Sequence, residues 1–216
     1  TKVAAALLFE QSNGYSLEQL QDVVRKLSPE EREIIFIEAM TTRENRRHKP
    51  PRAFENAVYT LEFLDNIGVY REFRRHRMNT QEAQNYTTEL GYDVHQDVID
   101  AGLGDELRRS MEQTHEVHMA IKKKYPIESQ YAVTLGHLHR WYMTMNAREF
   151  YFLTELRSTE QSHPDARRLA QATYRQIEQV HTWVTSLSKF TNLSGEQVLE
   201  RLKSEARIDR KLGLSS

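Results

Sequence analysis

The sequence contains no cysteine. That excludes disulfides, thiolate-bound zinc and a thiol nucleophile, and it fits a reducing cytoplasm as the expected location. No apolar run approaches the ~18 residues that a membrane-spanning helix requires, so no membrane partner is expected. Also missing are a glycine-rich phosphate loop, a G-x-S-x-G nucleophile elbow and a dinucleotide fingerprint. Any nucleotide must therefore be held by side chains rather than by a glycine cradle. Charge of one sign is not in excess either: Lys+Arg 30 against Asp+Glu 31 leaves −1. Bulk basicity thus makes no case for nucleic acid, and the basic loop at residues 43–52 lacks the interleaved aromatics of a strand-binding surface. There is no internal repeat of fixed period. The chain opens at Thr1 with neither an initiator methionine nor a signal-peptide pattern, and it is taken for a processed or excised piece of a longer protein.

At 216 residues the length suits one domain with a sizeable core. The apolar run Val3–Phe9 is short enough for a buried strand. A helix is expected from Leu17 to Leu27 after Ser16. A second should run from Ser28-Pro29-Glu30-Glu31, which supplies an N-cap, a first-turn proline and a capping-box glutamate, to about Met40. Residues 41–52 read as a basic loop. Ala57–Leu64 alternates like a half-buried strand, and helix should return over Gly68–Arg77. A long helix is expected over Asp105–Lys124 and a strand over Gln130–Leu135. Three more helices should cover Asn146–Ser158, Asp165–Ser188 and Ser194–Leu212, the last opened by the capping pattern Ser194-Gly-Glu-Gln197. The fold class is α+β, mostly helical, around a small mixed or antiparallel sheet.

Charge concentrates in Tyr70-Arg-Glu-Phe-Arg-Arg-His-Arg77, four arginines and a histidine within eight residues. Like charges packed this closely repel unless an anion joins them, which points to a phosphate site. On a helix, Arg71, Arg75 and Met78 would share one face. The plain alternative is a basic helix face paired with Glu55, Glu62 and Glu72. Downstream, Asn146 and Arg157 stand at the two ends of a helix, about 16 Å apart by the helical rise, with Phe150 and Leu153 between them. That arrangement suits an elongated ligand with a ring at one end and phosphate at the other, or an apolar stripe packed in the core. His115/His118 and His137/His139 are too few and wrongly spaced for a metal site, so no metal ligands are assigned.

These two segments carry a resemblance. Phe54-Glu55-Asn56-Ala-Val-Tyr59-Thr60 followed by Arg71-Glu-Phe-Arg-Arg75-His76-Arg77 resembles the flavin-dependent thymidylate synthases, whose signature is Q-x-x-R-H-R-x-x-S-x-N-E-x-S-x-R-Y after a strand led by F-E-H. Thr144-Met-Asn146-Ala-Arg148 with Leu153-Thr-Glu-Leu-Arg157 is similar to that family's N-A-R-S…N-F-L-N-L-R helix. The likeness implies a ThyX-like domain over residues 1–190, with 191–216 its C-terminal helix and tail. It implies the family reaction, methylene transfer from methylenetetrahydrofolate to dUMP with FAD and NADPH, giving dTMP. It further implies a homo-oligomer, dimer or tetramer, or a tandem partner domain. Carried over, Arg52, Arg75, His76, Arg77, Glu82, Asn146 and Arg148 would hold FAD. Glu72, Arg75, Gln84, Gln130 and Arg157 would face dUMP, and Gln84 and Arg157 would stand at the catalytic positions.

The sequence departs from the family pattern at several of these. The signature glutamine is Glu72, the active-site serine becomes Gln84, and a strand arginine becomes Gln130. The arginine before the signature tyrosine is lost, the second helix asparagine is Phe152, and the F-E-H histidine is Asn56. Each charge-assisted hydrogen bond to a phosphate contributes roughly 1.5–3 kcal/mol. Losing two arginines and gaining a carboxylate should therefore cost several kcal/mol, about a thousandfold or more in affinity. The expectation is a family domain with a diverged dUMP site and reduced or no activity alone. The alternatives are a FAD-dependent enzyme on another substrate, and a structural or assembly domain without cofactor.

Overall fold

The computed structural model describes residues 1–195 and 201–213. In chain order its elements are α1 (Lys2–Gln11), α2 (Leu17–Lys26), α3 (Pro29–Met40), β1 (Val58–Asn66), α4 (Ile67–Phe73), β2 (Asn79–Ala83), α5 (Gln96–Asp100), α6 (Gly104–Lys122), β3 (Leu138–Asn146), α7 (Ala147–Arg157), α8 (Pro164–Val180), α9 (Thr182–Ser186) and α10 (Arg201–Leu212). Short 3-10 turns lie at Arg52–Asn56 and Glu128–Ala132. The three strands pair antiparallel in the order β1-β3-β2, and helices predominate, so the fold is α+β as expected. The chain separates into two compact units, one formed by residues 1–59 with those from 145 onward, the other by Thr60–Thr144.

In the first unit, local sequence accounts for two helices directly. Ser16 and Ser28 each accept a hydrogen bond from the amide three residues on, while Gln19 and Glu31 reach back to the cap amides. Both capping boxes satisfy donors that a helix start otherwise leaves orphaned. α1 departs from the expected strand. Ala4, Ala5, Ala6, Leu7 and Leu8 are strong helix formers with no branching at Cβ, and α1 buries Val3, Ala4 and Ala5 while packing on α2. The helix expected over Asp165–Ser188 breaks into α8 and α9 at His181, whose backbone leaves the helical region (φ −140°, ψ 77°). That break presents the imidazole to Tyr59, whose hydroxyl lies 3.0 Å from Nδ1. Phe54, Phe150 and Tyr151 are fully buried here, each stabilising the fold by about 1.5–3 kcal/mol relative to exposure. Of the expected helix Ser194–Leu212, α10 supplies the later part, and Glu196 and Gln197 of the capping pattern lie outside the described residues.

The second unit corrects the expected elements most. Gln130–Leu135 is no strand: a 3-10 turn covers Glu128–Ala132, and the strand begins at Leu138. β3 alternates strictly, with His139, Trp141, Met143 and Met145 buried and their neighbours half-buried. A histidine in the inward set hides that alternation from a search for apolar period two. Trp141 stacks on Phe63 (5.2 Å between centroids) and lies 5.1 Å from Tyr70, while His139 lies 4.7 Å from Tyr70 and 4.6 Å from Tyr86. β2 and α5 were not expected at all.

Candidate functional site

Asn66 ends β1 and caps α4 by accepting from the Val69 amide at 2.9 Å. A Cβ at Gly68 would come within 3.1 Å of that capping oxygen, so glycine leaves the cap room. The helix then stops at Phe73, four residues short of the expected end. Side-chain amides explain the stop. Asn79 and Gln81 donate to the His76 carbonyl at 2.9 and 2.6 Å, and Gln81 also reaches Phe73 O at 3.4 Å. These amides take carbonyls that further helix would have used. Arg75 and Met78 therefore do not share a helical face with Arg71. Arg74, Arg75 and Arg77 instead follow the negative end of the helix dipole.

Of this cluster, His76 is buried beside Phe73, whereas Arg75 and Arg77 are exposed. Arg75 Nη2 lies 3.2 Å from Glu72 Oε1, so the carboxylate at the signature-glutamine position is spent on a neighbouring arginine. Glu62 pairs with Arg140 instead of the cluster. Gln84 follows β2 with an exposed side chain, and its amide donates to Arg140 O at 3.1 Å; Glu82, on β2, is exposed. Gln130 is engaged at both ends of its amide: its Oε1 accepts from the Tyr86 amide at 2.9 Å and its Nε2 donates to Ile127 O at 3.1 Å.

The first unit holds the remaining site residues. Asn146 ends β3 and caps α7, accepting from the Glu149 amide at 2.9 Å. Phe150 and Leu153 are buried in the core, so the stripe between Asn146 and Arg157 is packing rather than a ligand groove. Arg157 is half-buried in the last turn of α7. Arg148 donates from Nε to Pro50 O and from Nη1 to Glu55 Oε1, both at 2.9 Å. Arg52 reaches the same carboxylate, Nε 3.3 Å from Oε1 and Nη2 3.3 Å from Oε2. Hydrogen bonds from Arg52, then the charge of Arg52 and the contact with Arg148, hold the Glu55 carboxyl below its ordinary value.

Arg52 and Arg148 face one cavity of about 690 Å³, with Lys49, His48, Asn56 and Arg43 also on its wall and Glu10 the acid lining it. Arg43 is not available as a free charge. It is buried in a bidentate pair with the Glu155 carboxylate, and its Nε donates to His48 O at 2.7 Å. With Arg43 neutralised, the cavity carries Lys49, Arg52 and Arg148 against Glu10 and the Glu55 carboxylate that both arginines share, a net positive wall that fits an anionic group. None of Glu55, Lys49 and Arg43 was assigned as a site residue from the sequence. The spacing of Arg52 and Glu55, three apart, was the available signal for the first pair.

Three of the four histidines that invited a metal reading are core residues; the fourth, His115, is exposed, with its Nδ1 2.8 Å from Thr88 Oγ1. His118 donates from Nδ1 to Ser129 O at 2.9 Å, and His137 Nδ1 lies 2.9 Å from Thr134 Oγ1. His118, His137 and His139 are all buried.

An antiparallel β1-β3-β2 sheet, an asparagine-capped helix after each long strand and the R-H-R segment define an α+β domain. The profile of the thymidylate synthase complementing protein family matches residues 2–182, and the chain belongs to that family. A UPF0159 protein of Chlamydia muridarum (strain MoPn / Nigg) is 37% identical over 206 residues, covering 95% of this chain and 39% of that protein. A UPF0159 protein of Chlamydia pneumoniae is 35% identical over 206 residues, 95% of this chain and 38% of its own length. One from Thermoplasma acidophilum is 34% identical over 173 residues, 79% of this chain and 34% of its own length. The chain thus spans less than two-fifths of the length of the curated relatives it matches.

Proposed function

We propose that this chain is a flavin-dependent thymidylate synthase domain that keeps a site for the anionic part of FAD and has lost ordinary dUMP binding. The observation that carries the second half is the commitment of Gln130 to Tyr86 and Ile127, beside the pairing of Glu72 with Arg75. Two positions that should meet the nucleotide are taken up by contacts within the chain. A carboxylate at one of them repels a phosphate in place of binding it.

The cationic cavity of the first unit supports the first half, because its donors match phosphate chemistry. Arg52 and Arg148 would hold that phosphate with Lys49 nearby. Arg75 and Arg77, exposed in the second unit, are further candidate contacts to the cofactor, with Glu82, His76 and Asn146 from the family pattern. Bound FAD would supply the redox step of the family reaction, drawing on NADPH. What the chain's own residues supply is orientation and charge neutralisation.

We further propose that residues 1–190 with the C-terminal helix form one family domain, working in the cytoplasm as a homo-oligomer or beside a tandem partner domain. The relatives are more than twice as long as the stretch they share with this chain, which leaves room for such a partner. Titration of the purified protein with FAD, followed by flavin absorbance, tests the reading. Saturable FAD binding with a spectrum that dUMP does not perturb is the expected result. Formation of dTMP from dUMP by this chain, or a failure to bind FAD, would overturn it.

A further inference from the structure

We infer that Glu55 is the internal counter-anion of the cationic cavity, occupying Arg52 and Arg148 until a phosphate group displaces it. The proposal deepens the reading of this cavity as a phosphate site and rests on it for the identity of the natural ligand. Its own basis is geometric. Both guanidiniums converge on one carboxylate, at 2.9 Å from Arg148 and 3.3 Å from Arg52. The two arginines line the cavity, whereas Glu55 reaches them from the 3-10 turn Arg52–Asn56.

The other charges of the wall do not substitute for it. Arg43 is neutralised by Glu155, Lys49 is exposed at the rim of the loop, and the exposed acid Glu10 lines the wall while the two guanidiniums pair with Glu55. Glu55 therefore removes one unit of positive charge at the point where the two guanidiniums meet. The Arg52 side chain is 83% exposed and that of Arg148 28%, so Arg52 is the freer arm and Arg148 the fixed one. Arg148 is fixed by Pro50 O as well, so it keeps its position when Glu55 lets go. An incoming phosphate offers two oxygens for the same bidentate pairing as the carboxylate, with more charge. It competes with Glu55 for bonds already made, and part of its binding free energy goes to breaking them.

The test is calorimetric titration of the 216-residue chain with inorganic pyrophosphate and, in parallel, with FAD, at several salt concentrations. Glu55→Gln should bind pyrophosphate roughly tenfold more tightly than the native chain, the size of an ion-pair competitor removed. Its affinity should also fall more steeply with salt, because freed guanidiniums hold ions that the ligand must release. Adding Arg52→Gln to Glu55→Gln should erase the gain. Glu55→Asp, which keeps the charge but shortens the reach, should give a smaller gain of the same sign, and it serves if the glutamine variant does not fold. Unchanged or weaker pyrophosphate binding in a folded Glu55 variant would overturn the inference, because it would make Glu55 a support for the arginines. The cofactor reading fails separately: tighter pyrophosphate binding with no FAD binding by any variant sinks that reading and leaves Glu55 as the counter-anion.

Discussion

Two passages of this chain are built alike and end differently. β1 runs nine residues into Asn66, which caps α4; β3 runs nine residues into Asn146, which caps α7. Yet α4 lasts seven residues and α7 eleven. After α4, the amides of Asn79 and Gln81 take the carbonyls, and the arginines that follow remain exposed. After Asn146, Phe150, Tyr151 and Leu153 bury themselves, and the next turn places Glu155 against Arg43 in the core. The same local grammar thus yields a short helix ending in solvated cations, or a long one anchored by a buried ion pair. What differs is the partner surface, since helices of this length depend on tertiary packing more than on propensity.

The comparison is broken most forcefully at its buried end. Glu155→Ala leaves the Arg43 guanidinium unpaired in the core, and should cost about 3–5 kcal/mol, read from urea denaturation. A loss below ~1 kcal/mol would mean that the pair behaves as a surface pair does. Arg43 also packs over the Phe190 ring at 5.1 Å; Arg43→Met keeps that packing but leaves the Glu155 carboxylate unpaired in the core, so it should cost a similar amount.

Acid probes the second unit. Burial lowers the His137 and His139 pKa values from the usual 6.5. The folded unit therefore binds fewer protons than the unfolded chain. The stability tied to these neutral rings is present above pH 6.5 and is lost as pH falls from there toward their lowered folded values. Thermal melts from pH 8 to 5 should show the decline, and His137→Gln with His139→Gln should flatten it. A melting temperature independent of pH over that window would refute the assignment.

The two caps permit a direct comparison. Asn146→Ala and Asn66→Ala should each cost about 1 kcal/mol, in the 0.5–2 range for caps. Asn66→Ala should be the more harmful, because its Nδ2 also donates to Asp93 Oδ2 at 3.2 Å. Equal losses would show that the Asp93 contact contributes nothing. Smallest is the exposed end: Arg77→Ala should change stability by less than ~0.5 kcal/mol. Under the cofactor reading it should weaken FAD binding, measured by absorbance titration.

Much of the first unit was legible because its signals are local. Ser28-Pro29-Glu30-Glu31 carries the cap, the proline and the reciprocal glutamate within four residues, and α3 begins there. Val3–Phe9 was misread because an unbroken apolar run has no period to read, although its alanines and leucines favour helix. β3 was displaced by eight residues from the expected strand, since its inward face mixes His139 with Trp141 and two methionines. At the site, the arginine-rich segment and Asn146-Ala-Arg148 were found as residues. Their partners were not: Glu55 was weighed only as a partner of the R-H-R cluster, in the plain alternative, and takes Arg52 and Arg148.

By itself the sequence determined the family, the capped helices, the reliance on side chains for any phosphate and the loss of a thiol route. Each of these is encoded within a few neighbouring residues or in composition, where spacing and residue type suffice. Only the tertiary structure decided which cations are spent and which remain. Arg43 lies 112 positions from Glu155 in the chain, and Arg148 lies 93 from Glu55. No local pattern reports pairs so distant, and whether a guanidinium can meet a ligand depends on whether the fold has already brought it a carboxylate.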